Sequence, residues 1–351
     1  MTVRLKPVGE QIVVLTGASS GIGLATARAL ATRGAKLVLV SRNEVALQEI
    51  ARDCEVKGGR AIAVAADVGR FEDMERVADR AVQEYGGFDT WINNAGVAIF
   101  GTVEQIPIED HRRLFETNYF GVLHGCLVAA GHLRQHGGKI INMGSVLSDR
   151  ADILQGPYSA SKHAVKGLTD ALRMELEEDR APIQVTLIKP SAIDTPYMEH
   201  ARSYLDSPGT KNPPPSYDPE LVARAIVFAC EHDRRDIIVG FGGWALSMMG
   251  TLAPRLTDYA MEAGGRILQE TSDPGCMERR DNLYKSRSDG TERSSLPGGS
   301  RKTSLFLEAQ LHPASFLPGA ALAAAAGFGF AALQLLRPRA ASPRRRSTGS
   351  H

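Results

Sequence analysis

Tyr158 and Lys162 stand four residues apart in the run Tyr158-Ser159-Ala160-Ser161-Lys162, behind a strand-like Lys139-Ile140-Ile141-Asn142-Met143 that ends at Gly144-Ser145. On a helix, side chains at i and i+4 share a face, so an ammonium here would sit beside a phenol and favour its ionised form. A phenol with an ordinary pKa of roughly 10 is a poor acid or base near neutrality, and a neighbouring cation makes it usable. Ser145 would then be placed to hold a substrate oxygen. Taken alone, such a pair is more often a Tyr and a Lys on a helix surface, so the elements around it decide.

Those elements begin at residue 11. Gln11-Ile12-Val13-Val14-Leu15 reads as a short buried strand, followed by Thr16-Gly17-Ala18-Ser19-Ser20-Gly21-Ile22-Gly23 and a helical Leu24-Ala25-Thr26-Ala27-Arg28-Ala29-Leu30-Ala31. Strand, glycine-rich turn and helix N-terminus form a pyrophosphate cradle: Gly17 permits the turn, Gly21 lets a ligand approach the backbone, and Gly23 lets helix pack on strand. The same alternation continues, with strands expected at 11–16, 36–41, 60–66, 89–92, 138–143, 183–189 and 236–240. Helices are expected at 21–33, 43–57, 71–85, 108–135, 157–179 and 219–232, the last opening on Asp218-Pro219 as cap and first residue. Alternation of this kind predicts an α/β fold, a doubly wound parallel sheet of Rossmann type, with ligands at the carboxyl ends of the strands.

With Thr16-Gly17-x-x-x-Gly21-x-Gly23, Asp67-Val68, Asn93-Asn94-Ala95-Gly96, Asn118, Ser145 and Tyr158-x-x-x-Lys162 in this order, the chain resembles the short-chain dehydrogenases/reductases over residues 9–241. The resemblance implies that Tyr158 is the general acid in carbonyl reduction or the base in alcohol oxidation, with Ser145 on the reacting oxygen. It implies that Lys162 lowers the tyrosine pKa and binds the nicotinamide ribose, and that Asn118 kinks its helix and positions a relay water. Asp67 would accept from the adenine amino group with Val68 alongside, Asn93 would steady the sheet, and Thr195 would bond the carboxamide. The implied cofactor set is Gly17, Ser19, Ser20, Gly21, Ile22, Gly23, Ser41, Arg42, Asp67, Val68, Asn94, Ala95, Gly96, Tyr158, Lys162, Pro190, Ile193 and Thr195. One departure is Ser191, where the family commonly has glycine after the proline.

Charge at the end of the second strand bears on which cofactor binds. Lys36-Leu37-Val38-Leu39-Val40 ends at Ser41-Arg42, where an NAD enzyme would place a carboxylate on the ribose hydroxyls. Ser41 leaves room for a 2′-phosphate and Arg42 can pair with it, so NADP(H) is expected over NAD(H). The alternative is a solvated arginine. For substrate, Val146, Leu147, Leu154, Ile193, Tyr197 and Met198 would line an apolar pocket, with 191–216 as a mobile lid on Asn212-Pro213-Pro214-Pro215. This points to a lipophilic carbonyl or alcohol. A non-catalytic dinucleotide-binding protein is the competing class, but it would need only the glycine loop.

A chain of 351 residues, 43% hydrophobic, has room for one catalytic domain and an extension. Its formal net charge of +1 makes no case for nucleic acid. Cys54, Cys126, Cys230 and Cys276 are scattered without metal-like spacing, which fits a reducing compartment, and no metal is expected. Met1-Thr2-Val3-Arg4-Leu5-Lys6 lacks an apolar signal core, so a cytoplasmic location is expected. Apolar positions at helical spacing predict a helical extension over 242–270, followed by a flexible linker over 271–315. Residues 316–351 join an uncharged alanine- and glycine-rich run to an arginine-rich tail. Two readings of that tail stay open: association of 316–346 with a membrane surface, or a soluble tail. Family resemblance also implies a dimer or tetramer through the helices at 108–135 and 157–179.

Overall fold

The computed structural model describes residues 4–207, 209–271, 280–287, 290–296 and 298–315. The first half runs β1 (Ile12–Thr16), α1 (Gly21–Ala31), β2 (Lys36–Ser41), α2 (Glu44–Val56), β3 (Arg60–Ala65), α3 (Phe71–Tyr85), β4 (Thr90–Asn93) and β5 (Ile99–Phe100). Next come α4 (Ile108–Phe115), α5 (Gly121–His136), β6 (Gly138–Met143), α6 (Gly156–Glu178), β7 (Ile183–Pro190), α7 (Tyr197–His200), β8 (Arg202–Ser203) and β9 (Gly209–Thr210). The chain continues through α8 (Pro219–Glu231), β10 (Asp236–Val239), α9 (Phe241–Leu252), α10 (Pro254–Gln269), β11 (Glu270–Thr271) and α11 (Leu305–Leu311).

Seven of these strands form one parallel sheet in the order β10-β7-β6-β4-β1-β2-β3. Helices cover both faces, so the central strands are unbroken apolar runs; Val13, Val14 and Leu15 of β1 and Leu37, Val38 and Leu39 of β2 are fully buried. The order reverses between β1 and β4, and that crevice is where a doubly wound sheet binds its ligand. Helix starts follow local chemistry. The Asn43 side chain accepts from Ala46 N–H at the head of α2, and Asp218 accepts from Glu220 N–H at 3.0 Å with Pro219 as the first residue of α8.

Three features depart from the sequence reading. The single helix expected at 108–135 is divided by a π-helical turn, Glu116–Phe120, that carries Asn118. The expected mobile lid at 191–216 holds α7 and two short strands: β8 pairs with β5, and β9 pairs with β11 at the end of the extension. Pairs of two residues leave no periodicity for a sequence to display. Within the stretch read as flexible from composition, the described residues Asp281, Glu292 and Arg293 are paired with the core, through Arg28–Glu292 at 2.6 Å, Arg293–Asp218 at 2.8 Å and Arg202–Asp281 at 3.0 Å.

The chain divides into two compact units, Met1–Leu307 and Glu308–His351, of which the second is described only through residue 315. The segment 316–346, expected either to meet a membrane surface or to be a soluble tail, lies outside the described residues. Among the described residues, no helix is long and apolar enough to cross a membrane.

Candidate active site

One cavity of about 580 Å³ opens along the carboxyl ends of the central strands and takes in both groups of residues that the sequence singles out. At one end lies the glycine loop. Gly17 has φ +67°, and a Cβ there would come within 2.7 Å of Ala95 Cα; at Gly23 a Cβ would lie 2.0 Å from Gly17 O. The loop therefore accepts no side chains at these points and lies flat against β4's exit, where Asn94 Nδ2 donates to Thr16 O and Gly17 O at 3.0 and 3.1 Å. Ser20 stands before α1 without a side-chain cap, so its hydroxyl and the first-turn N–H groups of Ile22 and Gly23 remain suited to a phosphate. These features fit a dinucleotide pyrophosphate.

Ser19, Ser20, Gly21, Ile22, Ser41, Arg42, Asp67, Val68, Ala95, Gly96, Pro190, Ile193 and Thr195 all line this cavity. Asn93 does not: its amide turns inward, accepting from Trp91 Nε1 at 2.8 Å and donating to Asn142 Oδ1 at 2.9 Å, which ties β4 to β6. Asp67, expected to receive the adenine amino group, already accepts from Arg113 Nη2 at 2.6 Å and from Gly69 N–H at 3.0 Å. Ser191, the departure from the family glycine, packs where Gly240 and Gly243 make room; a Cβ at Gly240 would meet Ser191 Cβ at 2.7 Å.

At the other end stand Ser145, Tyr158 and Lys162. A short 3-10 turn, Val146–Ser148, fixes Ser145: its Oγ accepts from Leu147 N–H at 3.1 Å, which leaves the hydroxyl proton free to donate. Tyr158 and Lys162 share one face of α6, with the ammonium 5.7 Å from the ring centre. Lys162 is 3% exposed and donates to Met143 O at 2.7 Å, and burial pushes it down to about 8. Tyr158 is not depressed as expected from its neighbour. Burial raises its pKa, against the opposing pull of the Tyr197 and Ser145 hydroxyls. Desolvation outweighs its neighbours in the cavity without a bound ligand, where the ammonium bonds the Met143 carbonyl.

Tyr197 meets Tyr158 edge to face at 5.6 Å, and burial raises its own pKa further. Its hydroxyl makes no regular hydrogen bond, yet it lies near enough for each phenol to perturb the other. Asn118 sits on the π-helical turn, fully buried and outside the lining of the cavity. Its Oδ1 accepts from Val97 N–H at 2.8 Å, while Nδ2 donates to Val97 O at 3.0 Å and Ser161 Oγ at 3.1 Å. The side chain thus clamps the loop after β4 to the helix of Tyr158.

Val146, Leu147, Tyr197 and Met198 line the substrate end, joined by Leu246, Met261 and Leu268 from the extension. Leu154 does not line it; at φ +67° it turns behind the wall and packs with Ala98 and Phe100. The sequence showed the extension's apolar spacing without showing which face meets the cavity. It also gave no sign of a polar patch there, Asp152, Gln155 and Gln269, in which Gln155 Nε2 donates to Gln269 Oε1 at 2.6 Å.

Burial raises the Asp152 carboxyl to about 6. A raised carboxyl pKa favours the fold below the ordinary value of 3.8, and that contribution is lost as pH rises through about 6. Asp152→Asn should therefore raise the Tm at pH 8 and leave it nearly unchanged at pH 4, as thermal unfolding at the two pH values would show.

A model of the short chain dehydrogenase family matches residues 11–205. An uncharacterized oxidoreductase of Bacillus subtilis, YxnA, is 43% identical over 89% of this chain and 88% of its own. A match of that length must run well past residue 205, where the family-model match ends. A 3beta-hydroxysteroid dehydrogenase of Eggerthella lenta is 38% identical over 52% of this chain and 71% of its own. Among solved structures, a short chain dehydrogenase/reductase of Burkholderia phymatum in complex with NAD superposes with a TM-score of 0.65. It is 27% identical and covers 72% of this chain and 96% of its own. A phosphate cradle at the switch of the sheet, a tyrosine and lysine on one helix face, a family model matched over 11–205 and a relative matched over 89% of the chain lead to one result: this protein belongs to the short-chain dehydrogenase/reductase family of NAD(P)-binding oxidoreductases.

Proposed function

We propose that the protein is an NADP(H)-dependent oxidoreductase acting between the carbonyl and alcohol forms of a lipophilic small molecule, with Tyr158 as the general acid or base. The observation that carries this reading is that Ser145, Tyr158 and Lys162 open into the same cavity as the glycine loop. When bound, the nicotinamide supplies or accepts the hydride. The chain's own residues do the rest. Ser145, its oxygen already held by Leu147 N–H, turns its proton toward a substrate oxygen. Tyr158, with its pKa raised, keeps its proton at neutral pH and so stands ready as the acid of the reductive direction. The Lys162 ammonium favours the tyrosinate that forms as the proton leaves, and Asn118 holds α6 in register with the loop it faces.

NADP(H) is favoured over NAD(H) by Ser41 and Arg42 at the end of β2, both on the cavity wall. Arg42 is held there by Asn282 O and Leu283 O and by the charge of Asp67, so its guanidinium is placed in advance of binding. Arg42→Ala should weaken NADPH binding about 10- to 100-fold and NADH binding little, because a charge-assisted contact is lost only with the phosphate. Fluorescence titration of both nucleotides measures this; equal losses would remove the phosphate assignment.

The apolar lining supports a lipophilic substrate, and the hydroxysteroid dehydrogenase among the relatives points the same way. Self-association has support in Phe120 and Leu127 of the α4–α5 region and Met174 of α6, which are 44%, 52% and 59% exposed. The reading is tested by following NADPH oxidation against apolar aldehydes and ketones, with NADP reduction against the matching alcohols. Binding of NADPH with no turnover in either direction would favour the non-catalytic alternative.

A further inference from the structure

Residues 282–287 lie on the rim of the dinucleotide cleft and bond to both of its sides. On the β2 side, Arg42 Nη2 and Nη1 donate to Asn282 O and Leu283 O, Arg113 Nε donates to Leu283 O at 3.2 Å, and Asn43 Nδ2 donates to Arg287 O at 2.9 Å. On the α7 side, Asn282 N–H donates to His200 O at 2.9 Å and Arg287 Nη1 donates to Glu199 O at 3.0 Å. Leu283 pins the span, fully buried among Val97, Ile99, Ile106 and Leu114. Further on, Thr291 O accepts from Gly21 N–H at 2.8 Å, beside the phosphate cradle.

One buried side-chain atom in the span has no partner. Asn282 lines the cavity, and its Oδ1 is buried with no hydrogen-bond partner. A buried amide oxygen without a donor is unfavourable, and a ligand that supplies the donor relieves it. Its position is the adenosine end: the residue lies against Arg42, at the end of β2, and its neighbour Leu283 lies against Arg113, which holds Asp67 at the start of the loop after β3. Asp67 is already tied by Arg113 and by Gly69 N–H, and beside it the carboxamide at 282 brings an acceptor oxygen that has no partner. An amide offers both a donor and an acceptor, and so do an adenine edge and a ribose.

We propose that Asn282 is a dinucleotide-binding residue supplied from beyond the sheet, its carboxamide hydrogen-bonding the adenosine half while the segment around it forms the outer wall of the site. This rests on the reading of the cleft as a dinucleotide site. Arg287, bridging the two sides, is a positioning residue that keeps the wall in place.

The test is titration of the full chain with NADPH, NADH and reduced nicotinamide mononucleotide, which lacks the adenosine half. Asn282→Ala should weaken NADPH and NADH alike by about tenfold and leave the mononucleotide unchanged. Arg287→Ala should speed NADPH dissociation in stopped-flow displacement, with a smaller change in affinity. Leu283→Ala, which loosens the segment without touching the amide, should move NADPH and NADH affinity in the same direction as Asn282→Ala. Affinities for Asn282→Ala within twofold of wild type would overturn the proposal, as would a loss confined to NADPH, which belongs to a 2′-phosphate contact. An equal loss for the mononucleotide would assign the effect to general disruption and overturn it too. Wild type that binds none of the three would instead remove the dinucleotide reading itself.

Discussion

Tyr158→Phe should lower turnover in both directions by about a thousandfold or more while NADPH still binds with nearly the affinity of wild type. The change removes one oxygen and keeps the ring, so the edge-to-face contact with Tyr197 at 5.6 Å and the packing of α6 survive. What is lost is the proton donor of the proposed reaction, and positioned acid–base groups typically contribute 10²- to 10⁴-fold. The two directions also differ in wild type. Because burial raises the phenol's pKa, the reductive rate should hold steady through neutrality, whereas alcohol oxidation needs the ionised form and should climb as pH rises. In Tyr158→Phe that climb should vanish. Steady-state rates in both directions between pH 6 and 10, with nucleotide titration alongside, decide the matter. A mutant that keeps a tenth of its activity, or keeps the pH-dependent rise in oxidation, would move the acid–base role elsewhere, and Tyr197 would be the next group to change.

The sheet was legible because both of its faces are covered. Strands buried on two sides become plain apolar runs such as Val13-Val14-Leu15, and helices between them announce their starts with caps such as Asp218. The cradle was legible for a steric reason: where a Cβ would sit 2.0 Å from a carbonyl, glycine is the residue that fits. Roles that depend on direction were not legible. Sequence places Lys162 beside Tyr158, but only the structure shows its ammonium turned to Met143 O, and only the structure shows Asp67 already occupied by Arg113. Nor could polar composition reveal that residues 280–287 and 290–296 are held to the core. Glu292, Arg293 and Asp281 look like solvated charges until Arg28, Asp218 and Arg202, far away in the chain, are brought beside them.

Lys162→Met should make the protein more stable and nearly inactive. In the fold the ammonium is buried, has Met143 O as its hydrogen-bond acceptor, and is pushed from 10.5 to about 8 by desolvation. A lysine whose pKa falls on folding opposes the fold while it is charged in both states, and stability rises with pH between about 8 and 10.5 as the folded form releases its proton first. The full penalty corresponds to about 3 kcal/mol as an upper bound. Methionine fills similar space without the charge, at the expense of leaving the Met143 carbonyl unpaired, about 1 kcal/mol. The net gain should therefore be about 1–2 kcal/mol at pH 7 and should shrink toward nothing or reverse by pH 10. Turnover should fall about 10²- to 10⁴-fold, because the tyrosinate formed as Tyr158 gives up its proton would have no cation beside it. Denaturant unfolding at pH 7 and pH 10, paired with rates at both, separates the two effects. If Lys162→Met were both inactive and less stable at pH 7, the lysine would be acting as a structural tie to β6, and the case for its charge serving Tyr158 would fail.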